Sequence, residues 1–173
     1  ALAERVQADF ASLTLRVYSS TDVVGVEIGG VVKNIMAIAT GVSDGLGFGH
    51  NARAALITRG LAEMGRLGAA LGALPATFAG LSGLGDLVLT CTGPLSRNYT
   101  VGVSVGKGAP IDEVTGSMRM VAEGVKTCRG ARELALRHKV DMPITEAVYS
   151  VLYSGTSPKE AVMGLMSREL KDE

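Results

Sequence analysis

An all-α fold over residues 21–173 is what the sequence predicts, and three observations carry that expectation. Apolar residues recur at three- and four-residue spacing in successive segments bracketed by capping and stop residues. The alternation of a half-buried strand occurs in one place, Leu13 to Tyr18. Glycine reaches 23 of 173 residues, about twice its usual share, in a chain that otherwise reads as helical, which suits helix backbones that approach closely.

Taken in order, residues 1–10 read as a helix end. Leu13, Leu15 and Val17 then alternate with Thr14, Arg16 and Tyr18 as a strand would. The run from Gly29 to Ala39 is apolar but for Lys33-Asn34, and the pairs Gly29-Gly30 and Gly83/Gly85 read as loops leading into helices. Gly45-Leu46-Gly47-Phe48-Gly49 is a connection between helices, since it lacks the preceding strand and the third-glycine spacing of a dinucleotide loop. Asn51 is the expected N-cap of a long helix with Ile57, Leu61, Met64, Gly68 and Leu71 on one face, ended by Gly72 and Pro75. Gly102 to Lys107 is one residue short of a phosphate-binding Walker loop and is followed by Gly108, so it reads as a helix terminus with a solvated lysine. Val121, Val125, Cys128 and Ala131 mark a further helix, and Ile144, Val148, Val151 and Leu152 another. Ser157 and Glu160 flank Pro158 as a capping box.

Composition excludes several classes of function. Seventeen basic and seventeen acidic residues cancel, leaving no electrostatic footprint for nucleic acid and no polybasic membrane patch. Glu27 and Lys33 interrupt the most hydrophobic stretch, and the first residues lack the pattern of a charged region followed by an apolar signal core. Two cysteines, Cys91 and Cys128, in a chain too large to need stapling read as free thiols in the core. The expectation is a soluble cytoplasmic protein. His50 and His138 are far apart in sequence and form no ligand-spaced pair, so neither a metal site nor a histidine-based nucleophile is expected.

Three segments carry chemistry. Lys33 stands alone in an apolar run; burial disfavours an ammonium and suits a lysine to proton transfer near neutral pH, while the alternative is a side chain that snorkels to water. Gly83-Leu84-Gly85-Asp86-Leu87 places an acid after a glycine-rich turn. Ser96-Arg97-Asn98 sets three polar donors at a helix start, suited to a phosphate because arginine binds it bidentately and free backbone amides favour an anion. Ordinary helix caps with an exposed arginine explain the last two equally well.

Together these segments, with Asp22 to Asn34, Asn51 to Gly60 and Gly83 to Cys91, resemble the bacterial NAD(P)-dependent glycerol-3-phosphate dehydrogenases, over nearly the whole chain and in order. The resemblance implies the helical substrate domain of a two-domain dehydrogenase, similar to the C-terminal domain of 6-phosphogluconate dehydrogenase. Residues 1–20 would be the helix-and-strand tail of an N-terminal dinucleotide-binding domain, and residues 21–173 the all-helical substrate-binding and catalytic domain. It implies that Lys33 is the catalytic lysine and also binds substrate, with Asp86, Ser96, Arg97 and Asn98 as substrate ligands. It implies that Arg97, Val121 and Glu123 touch the cofactor, and that Thr90 lies near the substrate. NAD(P)H would be bound mainly by the N-terminal domain, so the 173 residues are expected to be inactive alone. The implied reaction is reversible reduction of dihydroxyacetone phosphate to sn-glycerol 3-phosphate for phospholipid synthesis.

Two other readings stay open on the residues. The hydroxyisobutyrate and 6-phosphogluconate dehydrogenases also carry a lysine early in a helical domain, though the Lys33-Asn34 pair and Ser96-Arg97-Asn98 suit a small phosphorylated triose better. A non-catalytic module whose glycine-rich helices pair two copies of the chain is the other.

Overall fold

The computed structural model describes residues 2–116 and 122–168. α1 (Leu2–Phe10) buries none of its residues. The strand expected at residues 13–18 does not form, and Leu13 is fully exposed. Ser12 takes the backbone instead: its Oγ accepts from Thr14 N at 3.3 Å and Leu15 N at 3.0 Å, closing a turn, and the described residues offer no second strand to pair with.

α2 (Val23–Gly45) is the axis of the domain. Asp22 caps it by accepting from Gly25 N at 2.9 Å. The other oxygen of the same carboxylate accepts from Thr77 Oγ1 at 2.6 Å and Leu74 N at 2.9 Å, so one side chain fixes both the start of α2 and the approach of the next helices. The first turns of α2 leave Val23, Val24 and Val26 exposed, whereas every residue from Asn34 to Ser43 is buried. α2 is long and apolar enough to cross a membrane by composition, but half of its most apolar window is buried by its own neighbours, which marks it as a core helix.

Gly29-Gly30 is not a loop; both residues lie within α2. Gly29 is there because the Ser82 carbonyl rests against it, and a Cβ would overlap that oxygen. The same device recurs where α2 meets α6 (Arg97–Gly106). Side chains at Gly41 or Gly102 would overlap the Tyr99 and Ile38 carbonyls, and side chains at Gly45 or Gly106 would collide with the Val103 and Val42 carbonyls. Glycines four apart on both helices thus bring the two backbones together, which accounts for part of the unusual glycine content.

α3 (Gly49–Ala70) starts two residues before Asn51, with Phe48 at the cap position. Gly47 and Gly49 adopt φ of 86° and 77°, so the chain reverses at once and helix geometry is reached before the asparagine. The expected face is right: Met64, Leu67 and Gly68 are buried, Ile57, Leu61 and Leu71 pack against the core, and Gly72 (φ 85°) follows the end.

α4 (Pro75–Phe78) leads to a π-helical turn, Leu81–Gly85, which runs directly into α5 (Asp86–Thr92). After α6 come α7 (Ile111–Gly116), α8 (Glu123–His138), α9 (Pro143–Tyr153) and α10 (Pro158–Met166). α8 buries Cys128, Ala131 and Ala135, and α9 buries Ile144, Val148 and Leu152. The capping box of α10 forms as expected, Ser157 and Glu160 exchanging backbone bonds at 3.0 and 3.2 Å. Both cysteines are fully buried, and burial pushes their thiols up to about 11 for Cys91 and about 12 for Cys128, so neither is a thiolate at neutral pH.

α9 has no capping side chain of its own, because Met142 occupies the cap position. Glu63, buried on α3, supplies the acceptors instead: it takes bonds from Ile144 N at 2.5 Å, Thr145 N at 3.1 Å and Thr145 Oγ1 at 3.0 Å.

Candidate active site

Lys33 lies where α2 passes from its exposed first turns into the core, and its side chain keeps 22% exposure. The apolar run around it holds no counter-charge, but the fold brings one from 53 residues away: Nζ donates to Asp86 Oδ2 in a short ion pair. Asp86 is presented by the first residue of α5, just past the π-helical turn. The register of that turn is fixed by two glycines. Gly29 seats the Ser82 carbonyl, and Gly83 sits against the Phe78 backbone where a Cβ has no room. Thr90, one turn along α5, donates to the Asp86 carbonyl at 2.6 Å and lies 3.3 Å from Asp86 Oδ1, which steadies the carboxylate from behind.

Asn34 carries the connection to the other segments. Its Nδ2 donates to Gly30 O at 3.2 Å, and its Oδ1 accepts from Asn98 Nδ2 at 2.9 Å. Asn98 Oδ1 in turn accepts from Gly124 N at 2.9 Å, in the first turn of α8. A Cβ on Gly124 would crowd the Asn34 carbonyl carbon at 2.9 Å and Asn98 Oδ1 at 2.9 Å, so glycine is required for this approach. α2, α6 and α8 therefore meet through one buried chain of amides.

Around that chain the remaining sequence-predicted residues take different positions. Ser96 is the N-cap of α6, its Oγ accepting from Tyr99 N at 3.3 Å. Arg97, the first residue of α6, is exposed and makes no ion pair among the described residues. Asn98 is buried, with its carbonyl oxygen and one amide hydrogen already engaged inside the protein. Glu123 opens α8 and is exposed beside Gly124. Val121 lies outside the described residues. Lys33 and Asp86 touch directly, and Asn34 ties that pair to Ser96-Arg97-Asn98 and to Glu123-Gly124.

Sequence reasoning placed Asn34 beside Lys33 without giving it a role, and did not single out Gly124. The signal for Asn34 was its position, a polar side chain at the start of a stretch in which every later residue is buried. Glu63 was also missed, although its spacing from Gly60 and Leu67 puts it on the inward stripe of α3.

The result is a helical domain organised on one buried central helix, with a lysine–aspartate pair suited to proton transfer and an arginine-bearing helix start suited to an anion at its rim. The chain belongs to the family described as NAD-dependent glycerol-3-phosphate dehydrogenase C-terminus, whose family model matches residues 22–163. It is 64% identical over its full length to glycerol-3-phosphate dehydrogenase (NAD(P)+) of Oleidesulfovibrio alaskensis and 62% identical to that of Geobacter sulfurreducens, covering 52% of each. The crystal structure of glycerol-3-phosphate dehydrogenase from Coxiella burnetii superposes with a TM-score of 0.93 at 44% identity, over 96% of this chain and 51% of that one. The enzyme of the same name from Saccharomyces cerevisiae gives a TM-score of 0.84 at 29% identity, over 95% of this chain and 48% of that one. The chain thus spans about half the length of the curated relatives it matches.

Proposed function

We propose that this chain is the substrate-binding and catalytic half of an NAD(P)H-dependent glycerol-3-phosphate dehydrogenase. The reaction is the reversible reduction of dihydroxyacetone phosphate to sn-glycerol 3-phosphate, the backbone of phospholipids, in a soluble cytoplasmic enzyme. The observation that carries this reading is the Lys33–Asp86 pair, joined through Asn34 and Asn98 to the exposed Arg97. Residues 1–20 are the tail of the preceding dinucleotide-binding domain: α1 buries none of its residues, and residues 13–18 have strand patterning without a partner strand among the described residues.

In this reading Lys33 hydrogen-bonds the carbonyl oxygen of the substrate and gives it a proton as the alkoxide develops, then regains one from solvent; in reverse it takes the hydroxyl proton. Asp86 holds the Lys33 side chain in position, and Thr90 holds Asp86. Arg97 binds the phosphate, its guanidinium exposed and uncommitted among the described residues, with Ser96 at the same helix start. Asn98 serves through Asn34, fixing α6 against α2, and has one amide hydrogen left for a ligand. The nicotinamide cofactor supplies the hydride, and on this chain Arg97, Val121 and Glu123 would meet its edge. An exposed arginine and glutamate beside the substrate side chains fit such a role, because among the described residues neither side chain has an ion-pair partner that binding would have to break.

NAD(P)H oxidation with dihydroxyacetone phosphate tests the proposal, using the full-length enzyme, its Lys33→Ala variant and the 173-residue chain. Turnover is expected from the full-length enzyme, a kcat lower by about two to four orders of magnitude in the variant, and none from the isolated chain. A near-normal kcat in Lys33→Ala removes Lys33 from the mechanism, and an inactive full-length enzyme defeats the assignment.

A further inference from the structure

A glycine in the interior of a helix destabilises it relative to alanine, so each one calls for a local reason. Four of the five glycines in α2 have one. A side chain at Gly25 would meet Asp22 and Thr77, one at Gly29 would meet Ser82, and those at Gly41 and Gly45 would meet the backbone of α6. Gly30 is the exception: a Cβ there has open space around it, with no atom within 4 Å.

Its neighbourhood is the second observation. At 3.6 residues per turn, Lys33 projects about 40° around the helix axis from Gly29 and about 60° from Gly30. The lysine therefore stands over the gap between the two glycines. On the Gly29 side the gap is closed by Ser82 and the turn that delivers Asp86. On the Gly30 side nothing from the described chain fills it. The partly exposed Lys33 ammonium is thus walled by protein on one flank and by bare backbone on the other.

We propose that Gly30 is a ligand-contacting residue, its missing side chain making the room beside Lys33 into which a small carbonyl substrate enters. The inference rests on Lys33 being the proton donor. It makes Gly30 a steric gauge for the reacting end of the molecule, separate from Arg97 at the anionic end. A methyl group there would stand where the substrate must lie, and would otherwise favour the helix.

Activity and stability should therefore move in opposite senses. Gly65 in α3 and Gly130 in α8 are also helical glycines with open space, and they lie outside the site, so they serve as controls. In the full-length enzyme, Gly30→Ala is expected to lower kcat/KM for dihydroxyacetone phosphate at least about ten-fold and to weaken binding of glycerol 3-phosphate, with no fall in melting temperature. Gly65→Ala and Gly130→Ala are expected to stay within about two-fold in kcat/KM. A Gly30→Ala enzyme within that two-fold range overturns the inference. So does a loss of activity that comes with a matching loss of melting temperature, or that the controls share. If the unmutated enzyme shows no turnover, the reading of Lys33 fails and this inference fails with it.

Discussion

Removing the Asn98 side chain should show whether the amide chain holds the site together. Asn98 is 7% exposed and makes two bonds of 2.9 Å, to Asn34 Oδ1 on α2 and from Gly124 N on α8. Asn98→Ala leaves that carbonyl and that N–H unpaired in the interior, each at a cost of about 1–3 kcal/mol. The vacated volume is polar and can admit a water that recovers part of this, so the expected loss is about 2–4 kcal/mol. Urea unfolding of the 173-residue chain followed by far-UV circular dichroism measures it. Asn98→Asp sharpens the test because it keeps the size and the bond from Gly124 but turns an oxygen towards Asn34 Oδ1 in place of a donor. The introduced carboxyl is favoured in its protonated form in the folded state, since only then can it donate to Asn34. Its contribution is therefore fully present at low pH and is lost as pH rises through its raised folded-state value. A loss below about 0.5 kcal/mol for Asn98→Ala, or a pH-independent penalty for Asn98→Asp, would refute the role given to this chain.

Glu63 and Arg97 give three further tests. Glu63→Ala should cost about 3–5 kcal/mol, read by the same unfolding experiment, because three donors at the start of α9 lose their acceptor at once. Burial holds the Glu63 carboxyl above its ordinary value of 4.5, against the opposing hydrogen bonds from Ile144 and Thr145 and the Arg66 charge. The folded chain thus binds that proton more tightly than the unfolded one. The difference in stability between the unmutated chain and Glu63→Gln should shrink as pH rises from 4.5 through the raised value and level off above it; a difference flat across that window would contradict the assignment. In the full-length enzyme, Arg97→Ala should raise KM for dihydroxyacetone phosphate about thirty-fold, equivalent to about 2 kcal/mol of binding. An unchanged KM would return Arg97 to the status of a solvated surface residue.

The glycine content links fold and site. Gly41, Gly45, Gly102 and Gly106 bring α2 and α6 to backbone contact, and that same crossing brings Asn98, at the start of α6, within reach of Asn34. Gly29 and Gly83 seat the π-helical turn that aims Asp86 at Lys33. The reactive side chains lie on the rim, while the close approach of the helices that carry them depends on residues with no side chain at all.

Read as a sequence, the chain already determined its helical class, the face of α3, the capping box of α10, the buried thiols and the residue types suited to proton transfer and phosphate binding. These depend on spacing within a few residues, which the helical repeat converts directly into position. The misreadings share a different cause. Gly29-Gly30 looked like a loop because the Ser82 carbonyl that requires Gly29 lies 53 residues away; Asn51 looked like a cap because the reversal at Gly47 and Gly49 was not visible; and Leu13 to Tyr18 looked like a strand because alternation says nothing about a partner. The counter-charge for Lys33, the amide chain through Asn34 and Asn98, and the capping of α9 by Glu63 were decided only by tertiary structure. Each joins groups more than fifty residues apart, and what brings them together is close packing of helices, a property of facing surfaces that no local pattern records.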